Sequence, residues 1–234
     1  MSKTLTILGS GRSGTSYLIK TLNANGVPVG NCTSGTMENL DVRRINDGYL
    51  AQYHQAVKNS GLPYGILPNE EIKVTDDTYL TQAKLIVESH KNRYKENDFW
   101  AFKDPRTTLL HDLWLPHTDM VIAVFRHPEE VVESYTKLLS VYYDDLDECR
   151  RNMLAYWKRY NQSLLWASEH YTNIPFYILE FNESLNDNLN QIFGTQLKQI
   201  QNLKTNKNSG NLFDNDTKNL YITLKEKSKL WKQT

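Results

Sequence analysis

Only two cysteines, Cys32 and Cys149, occur in 234 residues. That is too few for a disulfide framework, and it suits a reducing cytoplasm. No apolar run approaches the roughly 20 residues that a membrane-spanning helix needs. The first apolar stretch, Leu5-Thr6-Ile7-Leu8, has the length of a strand and none of the character of a cleavable signal. In a cytoplasmic setting the sequons Asn31-Cys32-Thr33 and Asn161-Gln162-Ser163 are coincidental. Neither sign of charge dominates, with 27 Lys and Arg against 27 Asp and Glu. No global field therefore draws the chain to nucleic acid or to an anionic membrane, and local charge must do the work. His, Cys and Asp form no dense cluster with metal-ligand spacing, so no metal is expected. Internal repeats are also missing.

What the chain does have begins directly after that first strand. Gly9-Ser10-Gly11-Arg12-Ser13-Gly14-Thr15-Ser16 is a glycine-rich turn opening into a helix. Its glycines permit positive φ and close approach of a ligand, so several N–H groups can converge on one oxyanion at the positive end of the helix. The Gly9 to Gly14 spacing fits a GxxxxGK[ST] loop, but Thr15 stands where the lysine belongs and Arg12 is the loop's only cation. The loop is a phosphate cradle without the lysine that nucleoside triphosphate chemistry uses.

A second phosphate-binding element follows a later strand. Met120-Val121-Ile122-Ala123-Val124-Phe125 is apolar and β-branched, hence a buried strand. It ends in Arg126-His127-Pro128, and a helix is predicted over residues 129–143, with Pro128 at its first position and Glu129 and Glu130 in its first turn. Arg126 thus stands at the carboxyl end of a strand, and Ser134 lies eight residues on, about two helical turns. Both can donate to one phosphate. A glycine cradle followed by Arg-x7-Ser after a later strand resembles the sulfotransferases that use 3′-phosphoadenosine-5′-phosphosulfate (PAPS). The resemblance implies that Gly11, Arg12, Ser13, Gly14, Thr15 and Ser16 hold the 5′-phosphosulfate of PAPS, and that Arg126 and Ser134 hold its 3′-phosphate. The product would be 3′-phosphoadenosine-5′-phosphate (PAP), and no metal would be required. The family's C-terminal Arg/Lys-x-x-Gly phosphate motif has its nearest match in Lys207-Asn208-Ser209-Gly210.

Two further motifs support the likeness. Phe99-Trp100-Ala101-Phe102 is another apolar strand with a cationic end, Lys103-Asp104-Pro105-Arg106, similar to the Lys-Asp-Pro of tyrosylprotein sulfotransferases. By that resemblance Lys103 neutralises charge as the sulfuryl bond breaks; otherwise it is an ordinary lysine at a strand end. Asp104 and Arg106 are expected to pair and orient the Lys103 loop. Glu38, in Glu38-Asn39-Leu40-Asp41, falls where relatives place a catalytic carboxylate, which makes it the candidate base for an acceptor proton. Its rival reading is an N-cap or first-turn charge for the next helix. His54, His111 and His127 are the alternative bases. The catalytic set is therefore Glu38, Lys103 and Arg12.

Strands at about 4–8, 99–103, 120–125 and 175–180 alternate with helices at about 14–25, 41–58, 79–94 and 153–171, the last burying Leu154, Trp157, Leu164, Leu165 and Trp166. The alternation predicts an α/β fold, one P-loop-type domain over 1–234, with a mostly parallel sheet flanked by helices on both faces. Ligands in such sheets bind beyond the carboxyl ends of the strands, where the motifs fall. Residues 60–80, interrupted by Pro63, Gly65 and Pro68, form a candidate substrate lid, and polar residues 201–219 a mobile loop. The expected activity is transfer of a sulfuryl group to a hydroxyl or amine of a small or medium hydroxylated molecule. A P-loop small-molecule or nucleoside kinase and a non-catalytic nucleotide-binding regulator are the rivals. The acceptor's identity and the oligomeric state are not legible in the chain.

Overall fold

A computed structural model describes residues 1–53, 72, 74–95, 98–200 and 214–230. Four parallel strands, β1 (Lys3–Leu8), β2 (Phe99–Lys103), β3 (Met120–Phe125) and β4 (Phe176–Glu180), form one sheet in the order β2-β1-β3-β4. Helices α1 (Thr15–Ala24), α2 (Leu40–Tyr53) and α3 (Asp77–Arg93) lie between β1 and β2, and the short α4 (His111–Trp114) between β2 and β3. Helices α5 (Pro128–Leu139) and α6 (Leu146–His170) join β3 to β4, and α7 (Leu185–Phe193) and α8 (Asn215–Leu230) follow.

Successive strand side chains point to opposite faces, and both faces are apolar, which is why the strands read as continuous hydrophobic runs. Trp100, Phe102, Val121, Ala123, Phe125 and Ile178 pack into one core with residues of α2, α3, α5, α6 and α8. Leu5, Ile7, Ala101, Ile122, Val124 and Leu179 pack on the other face against Leu18, Ile19 and Leu22 of α1 and Leu185 and Leu189 of α7. Helices thus cover both faces as expected.

The strand order positions the site. After β1 the chain crosses to β2 on one side, and after β3 to β4 on the other, so the loops leaving the adjacent strands β1 and β3 diverge. Such a switch point opens a crevice beyond the strand ends. Gly9, at φ 141°, carries the chain out of β1 into it, and a Cβ there would lie 2.3 Å from the Val124 carbonyl oxygen of β3. Gly9→Ala is therefore expected to lower the unfolding free energy by about 2–3 kcal/mol, read as a lower urea midpoint; an unchanged midpoint would show that the turn relaxes freely.

Several element boundaries differ from the sequence reading. Helix α6 starts at Leu146 rather than near 153, because the Asp145 carboxylate accepts from the Asp147 N–H at 2.8 Å and caps it. The helix predicted over 129–143 ends at Leu139 and tightens into a 3-10 turn, Ser140–Tyr142. Trp166 is exposed rather than buried, stacked between His111 and His170. Of the stretch expected to be a mobile loop, residues 215–219 are the first turn of α8; Asp214 accepts from the Thr217 N–H and hydroxyl, and Thr217 is buried. The rest, 201–213, with Lys207-Asn208-Ser209-Gly210, lies outside the described residues, as do His54 and most of the proposed lid; residues 77–80 of that lid are the first turn of α3. Among the described residues, no helix is long and apolar enough to cross a membrane.

Candidate functional site

The carboxyl ends of all four strands surround one cavity of about 320 Å³. Gly11, Arg12, Gly14, Thr15 and Ser16 line it from the loop after β1, Lys103 from the end of β2, Arg126 from the residue after β3 and Phe181 from the residue after β4. Glu38, Ser134, Tyr135, Leu138, Thr36 and Pro105 complete the wall. Every residue expected in the site from sequence is thus in one place except Ser13, which is buried. Its hydroxyl donates to the Ser10 carbonyl oxygen at 2.6 Å and its N–H to the same oxygen at 3.3 Å.

The glycine loop is fixed from outside itself. The Gly9 N–H donates to the Thr108 hydroxyl oxygen at 2.8 Å, and the Gly11 N–H to the Tyr156 hydroxyl oxygen at 2.8 Å. Arg12 takes a left-handed backbone conformation, φ 64°, and its Nε donates to the Ser134 Oγ at 2.8 Å. Gly14 caps α1 at φ 102° with the Phe181 ring over it, where a Cβ would come within 2.0 Å of that ring. The N–H groups of Arg12, Gly14, Thr15 and Ser16 meet no acceptor among the described residues. They form a set of donors at the positive end of α1 beside an open cavity.

Lys103 is 1% exposed. Burial lowers its pKa from the ordinary 10.5, the Glu38 and Asp104 carboxylates resist that shift, and the Arg106 guanidinium adds to it. Its carbonyl oxygen accepts from the Asn39 N–H at 3.0 Å, joining the end of β2 to the segment that carries Glu38. The Glu38 carboxylate stands among cations. Its Oε2 lies 3.4 Å from Arg106 and 3.5 Å from Arg43, while its Oε1 lies 3.8 Å from the Lys103 ammonium. Oε1 is therefore the less firmly held oxygen. The rival role for Glu38, capping α2, belongs instead to Asn39, whose Oδ1 accepts from the N–H groups of Asp41 and Val42 at 3.1 Å each.

Asp104 and Arg106 do pair, and the pair is the hub of a buried network. The Asp104 Oδ1 accepts from the Arg106 N–H at 3.0 Å, from its Nε at 2.7 Å and from the Asn46 Nδ2 at 3.1 Å. The Arg106 guanidinium reaches on to Asp47 and Glu38; burial lowers its pKa, but Asp104 above all, with Asp47 and Glu38, outweighs that and raises it. On the other side of the cavity, the Arg126 Nε donates to the Glu130 carboxylate one helical turn on, and the guanidinium lies 5.1 Å from the centre of the Phe181 ring. His111 stacks on Trp166 beside Asp112, and His127 packs edge-on to Tyr221; neither lines the cavity.

Sequence reasoning missed Phe181, Tyr135, Leu138 and Tyr156. Phe181 carried a usable signal, since it directly follows the predicted fourth strand, at the edge where ligands bind. Among the described residues no group of three or more His, Cys, Asp or Glu is placed to hold a metal ion.

A family model described as the sulfotransferase family matches residues 5–193. The solved structure of the "Sulfotransferase Domain from the Curacin Biosynthetic Pathway" is similar to this chain with a TM-score of 0.53 at 13% identity, over 96% of this chain and 98% of that one, a likeness of fold. Comparison with curated proteins finds no significant match.

Proposed function

The chain belongs to the sulfotransferase family, and from that premise we propose that it moves a sulfuryl group from PAPS to a hydroxyl or amine of a small or medium acceptor. The observation that carries the donor is the cavity's polarity. The loop that lines it carries the N–H groups of Arg12, Gly14, Thr15 and Ser16, which meet no acceptor among the described residues, and Arg126, Ser134 and Lys103 line it as well. A nucleotide with phosphates at two positions of its ribose suits a set of donors drawn from the ends of β1, β2 and β3, and the cavity's volume is that of a small-molecule site. Phe181 supplies an apolar wall for the base, and Leu138 and Tyr135 another.

Bound there, PAPS supplies the activated sulfuryl group, and the side chains have position and charge to provide. The Arg12 backbone and the start of α1 hold the 5′ end. Lys103 offsets negative charge at the breaking bond. The Glu38 Oε1 receives the acceptor proton while Arg106 and Arg43 hold the other oxygen in place. Because the sulfuryl group carries less charge than a phosphoryl group, cationic side chains suffice in place of a metal. We propose further that residues 1–234 act as one domain in a reducing cytoplasm, where Cys32 and Cys149 stay as the free thiols they are here.

Isothermal titration tests the donor. PAP is expected to bind at least about tenfold more tightly than ATP with magnesium, because the P-loop lysine is missing and the 3′-phosphate has its own donors. Arg126→Ala is expected to remove most of that preference. Preference for ATP would overturn the reading in favour of a kinase.

A further inference from the structure

Tyr156 sits on α6, far along the chain from the glycine loop, and is 3% exposed. Its hydroxyl oxygen accepts from two donors, the Gly11 N–H at 2.8 Å and the Tyr135 hydroxyl at 3.1 Å. The two rings meet edge to face with centroids 5.1 Å apart. Tyr135 follows Ser134, Ser134 accepts from the Arg12 Nε, and Arg12 follows Gly11. The contacts therefore close a ring: Gly11 to Tyr156, Tyr156 to Tyr135, then Ser134 and Arg12 back to Gly11. The fit is tight, since a Cβ on Gly11 would lie 1.9 Å from the Tyr135 hydroxyl. Burial keeps both phenols neutral, raising their pKa values well above 10.0.

That ring bears on Arg12. A left-handed conformation at a residue with a side chain is strained by about 1–2 kcal/mol and persists only where neighbours impose it. Here Gly11 is anchored on one side and the guanidinium on the other. Were the anchor lost, the loop that lines the cavity would be free to change its conformation.

We propose that Tyr156 is a positioning residue for the donor site: its hydroxyl, accepting from Gly11, sets the glycine loop and Arg12 in their anion-receiving conformation before the nucleotide arrives. This rests on reading the cavity as the PAPS site. Tyr156 does not line the cavity, whereas Gly11 and Tyr135 do, so its influence runs through those two residues. In the family resemblance, only the loop, the strand-end cations and Ser134 were assigned to the donor; Tyr156 extends the machinery to a helix packed behind it.

The test compares Tyr156→Phe with Tyr160→Phe in the full chain at a temperature where both are folded. The Tyr160 ring is tilted against that of Tyr156, with centroids 4.3 Å apart, and Tyr160 makes no hydrogen bond to the loop among the described residues. Tyr156→Phe leaves the half-buried Gly11 N–H without its partner, and PAP affinity by titration is expected to fall about tenfold, with faster hydrogen exchange at the Gly11 amide but not along α6. Tyr160→Phe is expected to leave both within about twofold of the parent. The proposal is overturned if Tyr156→Phe binds PAP like the parent, or if Tyr160→Phe loses as much. Should the unmodified chain bind no PAP, the donor reading itself fails, and Gly11 exchange alone decides. Faster exchange in Tyr156→Phe supports the anchor, and unchanged exchange removes it.

Discussion

Lys103→Met is expected to lower kcat by about 10²–10³-fold, the range seen when one preorganised charge-stabilising donor is removed from a dry site. A merely structural lysine gives the opposite pattern. At 1% exposure its ammonium is stripped of water, and the partial compensation by Glu38 at 3.8 Å is not a hydrogen bond. Replacing it with an apolar chain of similar length should therefore leave the unfolding free energy unchanged or raise it. Loss of turnover without loss of stability separates the two roles, measured by initial rates with PAPS and by urea unfolding. The pH profile adds a sign. Burial holds the folded pKa of Lys103 below 10.5, and the ammonium is the active form, so turnover is present below that lowered value and lost as pH rises through it. Stability moves the other way. Between the folded and unfolded values the unfolded chain binds more protons, so unfolding free energy rises with pH there. Activity falling where stability rises, with the alkaline limb abolished in Lys103→Arg, is the expected signature. A kcat within about threefold of the parent in Lys103→Met would remove the lysine from the mechanism.

Legibility of the site followed from where its residues sit. Lys103, Arg126 and the glycine loop stand at the ends of strands that are apolar on both faces, so hydropathy marks the strand and the strand marks the edge. Arg126 and Ser134 were found together because helical spacing is regular. Ser13, expected to offer its N–H to the anion, instead turns both its N–H and its hydroxyl to the Ser10 carbonyl oxygen; that local turn accompanies the left-handed conformation at Arg12, and nothing in an arginine announces positive φ. Tyr156 was invisible for a different reason. Met153, Tyr156, Trp157, Tyr160 and Leu164 recur at helical spacing and are all buried, so periodicity gives a core face. That one phenol on the face meets a backbone N–H of the first loop is a long-range fact. The helix α8 was lost to composition: Asn215-Asp216-Thr217-Lys218-Asn219 reads as a loop, and burial of Thr217 and Leu224 against the rest of the fold outweighs weak propensity.

Asp104→Ala is expected to lower the unfolding free energy by about 3–5 kcal/mol, because it strands a buried guanidinium. Asp104 is fully buried, and both of its oxygens are held by Arg106. Arg106 keeps Asp47 and Glu38 after the substitution, so the loss lies within that range rather than above it. Against a total stability of about 5–15 kcal/mol, such a loss removes a large share of the margin, so the variant is compared at low temperature. Double substitution decides whether the pair or the cavity left behind is responsible. With Arg106→Met added, the stranded charge is gone, and the combined loss is expected to fall short of the sum by about 2 kcal/mol or more. Additive losses would mean that Asp104 acts through packing and through Asn46, its other partner at 3.1 Å. The pair also reaches the chemistry. Arg106 holds one oxygen of Glu38, and the Asp104 carboxylate favours the charged form of the neighbouring Lys103, so removing that carboxylate disturbs both the candidate base and the candidate cation. Turnover in Asp104→Ala at low temperature should accordingly fall further than the folded fraction does, whereas equal losses would confine the network to stability alone.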